Sequence, residues 1–309
     1  MKVLITGGLG FIGQALIERL LANGHSLRIL DNMTNPSISV SEVEALGVEV
    51  FEGDIRERKD CESAVKGIEA VVHLAAQTNV LHSVEKPMED LEINGLGLLN
   101  VLDALKQAGG TTFVFSSSNA MVGIKSPPMS EDMLPAPLAP YGCTKLLGES
   151  YCHAYHALYG MQTVCLRFAN VYGPGSMKKG SVVAKMIKTA LDEEPLIVYG
   201  DGNQTRDFIY IDDIVSALVG SLEAPRGGEV FCVGTGRETT VNEMVASLKK
   251  IMEPDLKRTI PVRYEPARNG EIERNFSDIS KAARLLSFKP DTQLHDGLVS
   301  TWKWFKDQM

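Results

Sequence analysis

Tyr141 and Lys145 stand four residues apart in PYGCTK, so on a helix the phenol and the ammonium share one face. A phenol titrates near 10, and service as a base at neutral pH requires a preference for the phenolate worth roughly 4 kcal/mol. An ammonium one turn away supplies part of that in a partly desolvated cleft, and a second positive charge must supply the rest. Ser118 is the third candidate: it follows the apolar run TFVF in FSSSNA, where a hydroxyl can bridge a substrate oxygen and the tyrosine. Ser116 and Ser117 read instead as turn formers, the plain alternative for all three serines.

Such a group needs rigid elements beneath it. Apolar runs alternate with helical patterns from the first residue (KVLIT, FIGQALIERLLANG, SLRILD, VEVFEGD, AVVHLAA, GLLNVLDALKQAG, TFVFSSS), which predicts a parallel sheet covered on both faces. The fold class expected is α/β, a Rossmann-type doubly wound parallel sheet with a smaller α/β substrate-binding lobe. Residues 1–170 would form the dinucleotide lobe, to which the chain returns around 208–235, and residues 171–309 a smaller, discontinuous second lobe with shorter apolar runs and less regular helices. The proline-dense SPPMSEDMLPAPLAP (126–140) must be an irregular loop, and it ends at the helix carrying Tyr141.

The turn TGGLGFIG follows the first strand and opens the first helix. Gly7, Gly10 and Gly13 suit a tight turn, a close approach to a pyrophosphate and the packing of helix on strand. The helix N-terminus offers free N–H groups to phosphate. Asp31 closes the next strand at the offset of a carboxylate that accepts from ribose hydroxyls, and Asn32 and Met33 follow it, with no arginine placed for a 2′-phosphate. The expected cofactor is therefore NAD, whose oxidised nicotinamide ring is the second positive charge that Tyr141 needs. Asp54, in GDI (53–55), either touches the adenine edge or caps a helix.

Bulk properties exclude other classes. A formal net charge of −8 over 309 residues leaves no basic footprint for nucleic acid. No apolar stretch reaches the ~20 residues of a membrane span, and MKVLITGG is too short for a signal segment. Five scattered cysteines without CxxC spacing predict free thiols in a reduced, cytoplasmic compartment. His153 and His156 lack a third ligand at metal spacing, so no metal is assigned.

The motifs TGGLGFIG, LDN, GDI, HLAA, SSS, YGCTK, LRFANVYGPG, YGDGNQTRDFIYIDD and ARNGE occur in order over essentially the whole chain. The chain thereby resembles the extended short-chain dehydrogenases/reductases, specifically the NAD-dependent nucleotide-sugar epimerases typified by UDP-glucose 4-epimerase. The resemblance implies that Ser118, Tyr141 and Lys145 are the catalytic triad, with Lys145 also on the nicotinamide ribose. It implies cofactor contacts from Gly7, Gly10, Phe11, Ile12, Gly13, Asp31, Asn32, Asp54, Ile55, Leu74, Ala75, Ala76, Asn94, Ser116, Tyr141 and Lys145. For the nucleotide sugar it implies Ser118, Asn170, Val183 near the base, Arg206 and Arg268 on the diphosphate, and Glu271 on the nucleotide ribose.

Dehydratases of this family carry an Asp–Glu pair directly after the position of Ser118; Asn119 and Ala120 stand there here and cannot transfer protons. The resemblance implies epimerisation at C4 of UDP-glucose/UDP-galactose through a transient 4-keto sugar. Val122 replaces a usual tyrosine, a change expected to alter the sugar pocket; Cys232 replaces a usual asparagine; and Asn275 is modest enough in size to admit N-acetylated sugars. The rival readings are a dehydrogenase on another substrate, such as the epimerase-like L-threonine dehydrogenases, and a non-catalytic NAD-binding protein. The helices in GLGLLNVLDALKQ and KLLGESYCHAYHALY carry more apolar surface than one face buries, and in relatives they pair into the four-helix bundle of a homodimer.

Overall fold

The structure is a computed structural model and describes residues 1–267 and 272–308. Seven parallel strands form the main sheet: β1 (Lys2–Thr6), β2 (Ser26–Asp31), β3 (Glu49–Glu52), β4 (Ala70–His73), β5 (Thr112–Ser118), β6 (Gln162–Phe168) and β11 (Glu229–Val233). Their order is β11-β6-β5-β4-β1-β2-β3, so the winding reverses between β1 and β4. Ligands of doubly wound sheets bind at the carboxyl ends of the strands beside such a reversal.

Successive side chains of a strand point to opposite faces, and the two cores divide accordingly. Val3, Ile5, Val72, Val114 and Leu166 enter one core with α1 (Phe11–Ala22), α2 (Val40–Ala45) and α9 (Ile211–Glu223). Leu4, Val71, Phe113, Phe115 and Cys165 enter the other, under α3 (Arg58–Ala64), α6 (Leu98–Gln107) and α7 (Pro140–Tyr159). Both faces are covered, which is why the strands read as unbroken apolar runs. Before α6 the chain forms α4 (Val80–Glu85), α5 (Pro87–Asp90) and one π-helical stretch, Leu91–Gly97.

Beyond β6, strand β7 (Asn170–Tyr172) pairs in parallel with β10 (Phe208–Tyr210), β8 (Leu196–Tyr199) in parallel with β13 (Val262–Glu265), and β9 (Thr205–Arg206) antiparallel with β12 (Thr239–Thr240). With them lie α8 (Val182–Leu191), α10 (Val241–Leu256), α11 (Ser280–Leu286) and α12 (Leu294–Asp307). The expectation of less regular helices here is overturned: α10 and α12 run 16 and 14 residues. Their apolar stripes bury Met244, Leu248 and Met252, and Leu298, Trp302 and Phe305, in the same large core as β1. Among the described residues no helix is long and apolar enough to cross a membrane.

Candidate active site

Helix α7 begins with Pro140 at its first position and has no side-chain cap of its own. Ser83, fully buried on α4, supplies one: its Oγ accepts from the Tyr141 N–H at 3.1 Å and donates to the Val80 carbonyl at 2.7 Å. Gly142 and Gly148 let the helix lie close to the sheet, for a Cβ on either would stand 2.7 Å from the Ala120 carbonyl oxygen or 2.5 Å from the Phe115 ring. The start of α7 is thus set against the carboxyl end of β5, and Tyr141 and Lys145 come to Ser118.

Lys145 is buried, donates to the Ser116 carbonyl at 2.8 Å, and holds Nζ 5.6 Å from the centre of the Tyr141 ring. Burial lowers its ammonium to about 8, opposed by the carboxylates of Asp90 and Glu149. Tyr141 is half-buried, and burial pushes its phenol up to about 12; the hydrogen bond with Ser118 pulls it down and Asp90 pushes it up. The demand set by the sequence is therefore too small, since acting as a base near pH 7 from about 12 takes about 7 kcal/mol. Ser118 Oγ also accepts from the Ala120 N–H at 3.2 Å, which fixes its rotamer at the strand end.

Two buried carboxylates that sequence reasoning missed brace this group. Asp90 accepts from Thr144 Oγ1 at 2.7 Å, Gln77 Nε2 at 2.9 Å and Asn94 Nδ2 at 3.0 Å. Glu149 takes a bidentate pair from Arg167 at 2.9 and 2.8 Å and accepts from Ser117 Oγ at 2.6 Å. The available signal was helical spacing, since Thr144, Lys145 and Glu149 fall on adjoining turns of one helix.

The cofactor positions surround the glycine-rich turn. A Cβ on Gly7 would lie 2.7 Å from the Ala75 nitrogen and one on Gly13 2.3 Å from the Gly8 oxygen, so the cradle admits no side chain. Gly10 precedes α1 with no side-chain cap and no acidic residue in the first turn, leaving the N–H groups of Phe11, Ile12 and Gly13 without intrahelical acceptors. Asp31 accepts from the Leu9 N–H at 3.1 Å and the Met33 N–H at 2.9 Å, which ties the turn to the end of β2 and leaves carboxylate lone pairs over. This bare, anion-accepting turn beside an acid fits a dinucleotide. Leu74, Ala75 and Ala76 follow β4 along the same edge, with the Ala75 N–H on Thr6 Oγ1 at 3.3 Å.

Four of the expected cofactor residues have partners within the chain. Asn94 accepts from the Gln77 N–H and donates to the Gln77 carbonyl and Asp90, so it braces the loop after β4 from within the π-helical stretch. Ser116 donates to the His73 carbonyl at 2.8 Å and serves Lys145 through its own carbonyl. Asp54 is held to about 2 by the Arg56 fork and also accepts from Asn32 Nδ2 at 3.0 Å; it closes a turn onto the Arg56 N–H rather than standing free. Ile55 buries its side chain against Gly97 in the second core.

Among the expected substrate residues, Asn170 is exposed at the start of β7. Arg206 donates to the carbonyls of Thr205 and Ile272 at 2.7 and 2.8 Å on β9. Val183 is buried in the large core, in the first turn of α8, which has no side-chain cap. Arg268 and Glu271 lie outside the described residues. Val122 is fully buried with Met121 and Met129. Asn119 is buried and donates to Ser277 Oγ at 2.9 Å, with no carboxylate beside Ser118 in sequence.

The sequence profile of the NAD dependent epimerase/dehydratase family matches residues 3–234. The chain is 36% identical over 311 residues to a putative UDP-glucose 4-epimerase of Methanocaldococcus jannaschii, covering 99% of this chain and 98% of that one. It is similar to the crystal structure of UDP-glucose 4-epimerase with UDP-glucose from Thermotoga maritima (TM-score 0.91, 34% identity, 100% and 99% covered). It is equally similar to that of UDP-glucuronic acid 4-epimerase from Bacillus cereus in complex with UDP-glucuronic acid and NAD (TM-score 0.91, 33% identity, 100% of each chain covered).

Proposed function

The chain belongs to the NAD dependent epimerase/dehydratase family, and we propose that within it the protein inverts C4 of a UDP-sugar, of which UDP-glucose/UDP-galactose is the first candidate and N-acetylated forms a second. The observation that carries this reading is the meeting of Ser118, Tyr141 and Lys145 at the carboxyl end of β5, beside a turn shaped for a dinucleotide, with Asn119 and Ala120 where a dehydratase needs an acid and a base.

NAD, held by the glycine-rich turn and Asp31, would supply the hydride acceptor and donor for C4. The chain's own residues handle the proton and the geometry. Tyr141 as phenolate takes the proton of the C4 hydroxyl, leaving a 4-keto sugar, and gives it back when the carbonyl is reduced. Ser118 shares its hydrogen bond between the phenol and the sugar oxygen and so fixes the line of transfer. Lys145, held on the Ser116 carbonyl, places a positive charge beside the phenolate. Asn170, Arg206 and Arg268 hold the nucleotide end while the sugar turns, so binding energy comes from the part of the substrate that need not move.

We assign residues 1–170, with a return around 208–235, to the NAD lobe and the rest of 171–309 to the sugar lobe. Exposed Leu91, Leu96, Leu158 and Tyr159 near α6 and α7 support pairing of two copies through these helices. Five free thiols support a reduced, cytoplasmic setting. The test is incubation of purified protein with UDP-glucose, UDP-galactose, UDP-N-acetylglucosamine, UDP-glucuronic acid and dTDP-glucose, with products separated by chromatography. Interconversion of one C4 pair without net NADH supports the proposal; no conversion, or NADH in proportion to product, rejects it.

A further inference from the structure

After β7 the chain runs through Gly173, Pro174 and Gly175 and straps across the glycine-rich turn. Gln14 of α1 donates to the Pro174 carbonyl at 3.4 Å, and Lys178 donates to the Pro36 carbonyl at 2.7 Å. Gly175 has φ +84°, and a Cβ there would collide with the Gln14 amide, so strap and turn touch closely.

Within the strap, Lys179 turns inward. Its Nζ donates to the Val171 carbonyl at 3.2 Å, next to Asn170, and lies 4.8 Å from the centre of the Phe11 ring, the first residue of α1. Among the described residues no carboxylate pairs with it. Burial lowers the ammonium to about 8, and no charged side chain offsets that cost. A desolvated cation with one carbonyl and one aromatic face for company is expensive unless an anion arrives. The ammonium keeps donors to spare, and it stands between the unpaired N–H groups of α1 and the strand that carries Asn170.

We propose that Lys179 is the counter-cation of a diphosphate bound between the glycine-rich turn and β7. This rests on the reading of the protein as an NAD-dependent UDP-sugar enzyme, which brings two diphosphates, one in the dinucleotide and one in the substrate, to this crevice.

Calorimetric titration of NAD-depleted protein with NAD, and separately with UDP and with adenosine, tests it on the wild type, Lys179→Met and Lys185→Met, the last removing the same charge from an exposed site on α8. In Lys179→Met, affinity for one diphosphate ligand weakens roughly tenfold to a hundredfold, and whether that ligand is NAD or UDP names the source. Adenosine binding stays as in the wild type, and Lys185→Met binds as the wild type does. The ligand-free Lys179→Met protein melts at or above the wild-type temperature, because a half-buried charge without a counter-ion is gone. Unchanged affinity for both NAD and UDP in Lys179→Met overturns the proposal and leaves the broader reading standing. A wild type that binds neither overturns both.

Discussion

Burial works against Tyr141 and Lys145 alike, holding the phenol near 12 and the ammonium near 8, so in the chain by itself the proton sits on the tyrosine. Such a residue becomes a base only when positive charge gathers near it, which ties chemistry to the presence of the dinucleotide. Tyr141→Phe keeps the ring and its packing but removes the proton carrier. Turnover should fall roughly 10²- to 10⁴-fold while NAD affinity stays within a few-fold, as read by product formation and by titration with NAD. His73 is a second buried group with a clear sign. Its imidazole, hydrogen-bonded to Thr6 Oγ1 at 2.9 Å, is held at about 3 by burial, against 6.5 in the open chain. Between those values the unfolded state binds the extra proton, so stability drops as pH falls below 6.5, by at most about 1.4 kcal/mol per pH unit from this group. Urea unfolding at pH 7, 6 and 5 should show that slope, and His73→Asn should flatten it; an unchanged slope would remove His73 from the explanation.

At the scale of elements, the sequence showed most where one residue type answers one physical demand. Gly7, Gly10 and Gly13 announce a turn closed to side chains, and the doubly buried runs of β1 and β4 announce a sheet covered on both faces. Hidden from it were the contacts that join distant elements. Ser83 caps α7 from 58 residues away, and Asp90 joins Thr144 to the loop after β4; neither leaves a local pattern. Val122 and Val183 show the converse, since an apolar residue next to a motif reads equally as a pocket wall or as core, and both side chains are buried. The cap predicts its own test. Ser83→Ala leaves the Tyr141 N–H without its acceptor and should destabilise the protein by about 1 kcal/mol in urea unfolding. Because the same bond positions Tyr141, turnover should fall more than NAD affinity does; equal losses would make Ser83 a purely structural residue.

At the scale of the whole molecule, the main sheet and the C-terminal helices share a single core from β1 to α12. Exposed Leu91, Leu96 and Leu158 near α6 and α7 are more apolar than a solvated helix surface requires. Sedimentation should therefore find a dimer at micromolar concentration, and Leu158→Glu should shift it toward monomer; a wild-type monomer at every concentration would rule out the four-helix pairing.

The chemistry itself is tested most directly with a UDP-sugar carrying deuterium at C4, UDP-galactose first, incubated with the protein and NAD in ordinary water and examined by mass spectrometry and NMR. Retention of the label at C4 of the inverted product, with no net reduced cofactor, is the expected result. Loss of the label to solvent during inversion, or conversion that proceeds equally well in Tyr141→Phe, would contradict proton transfer by Tyr141 and hydride return at C4.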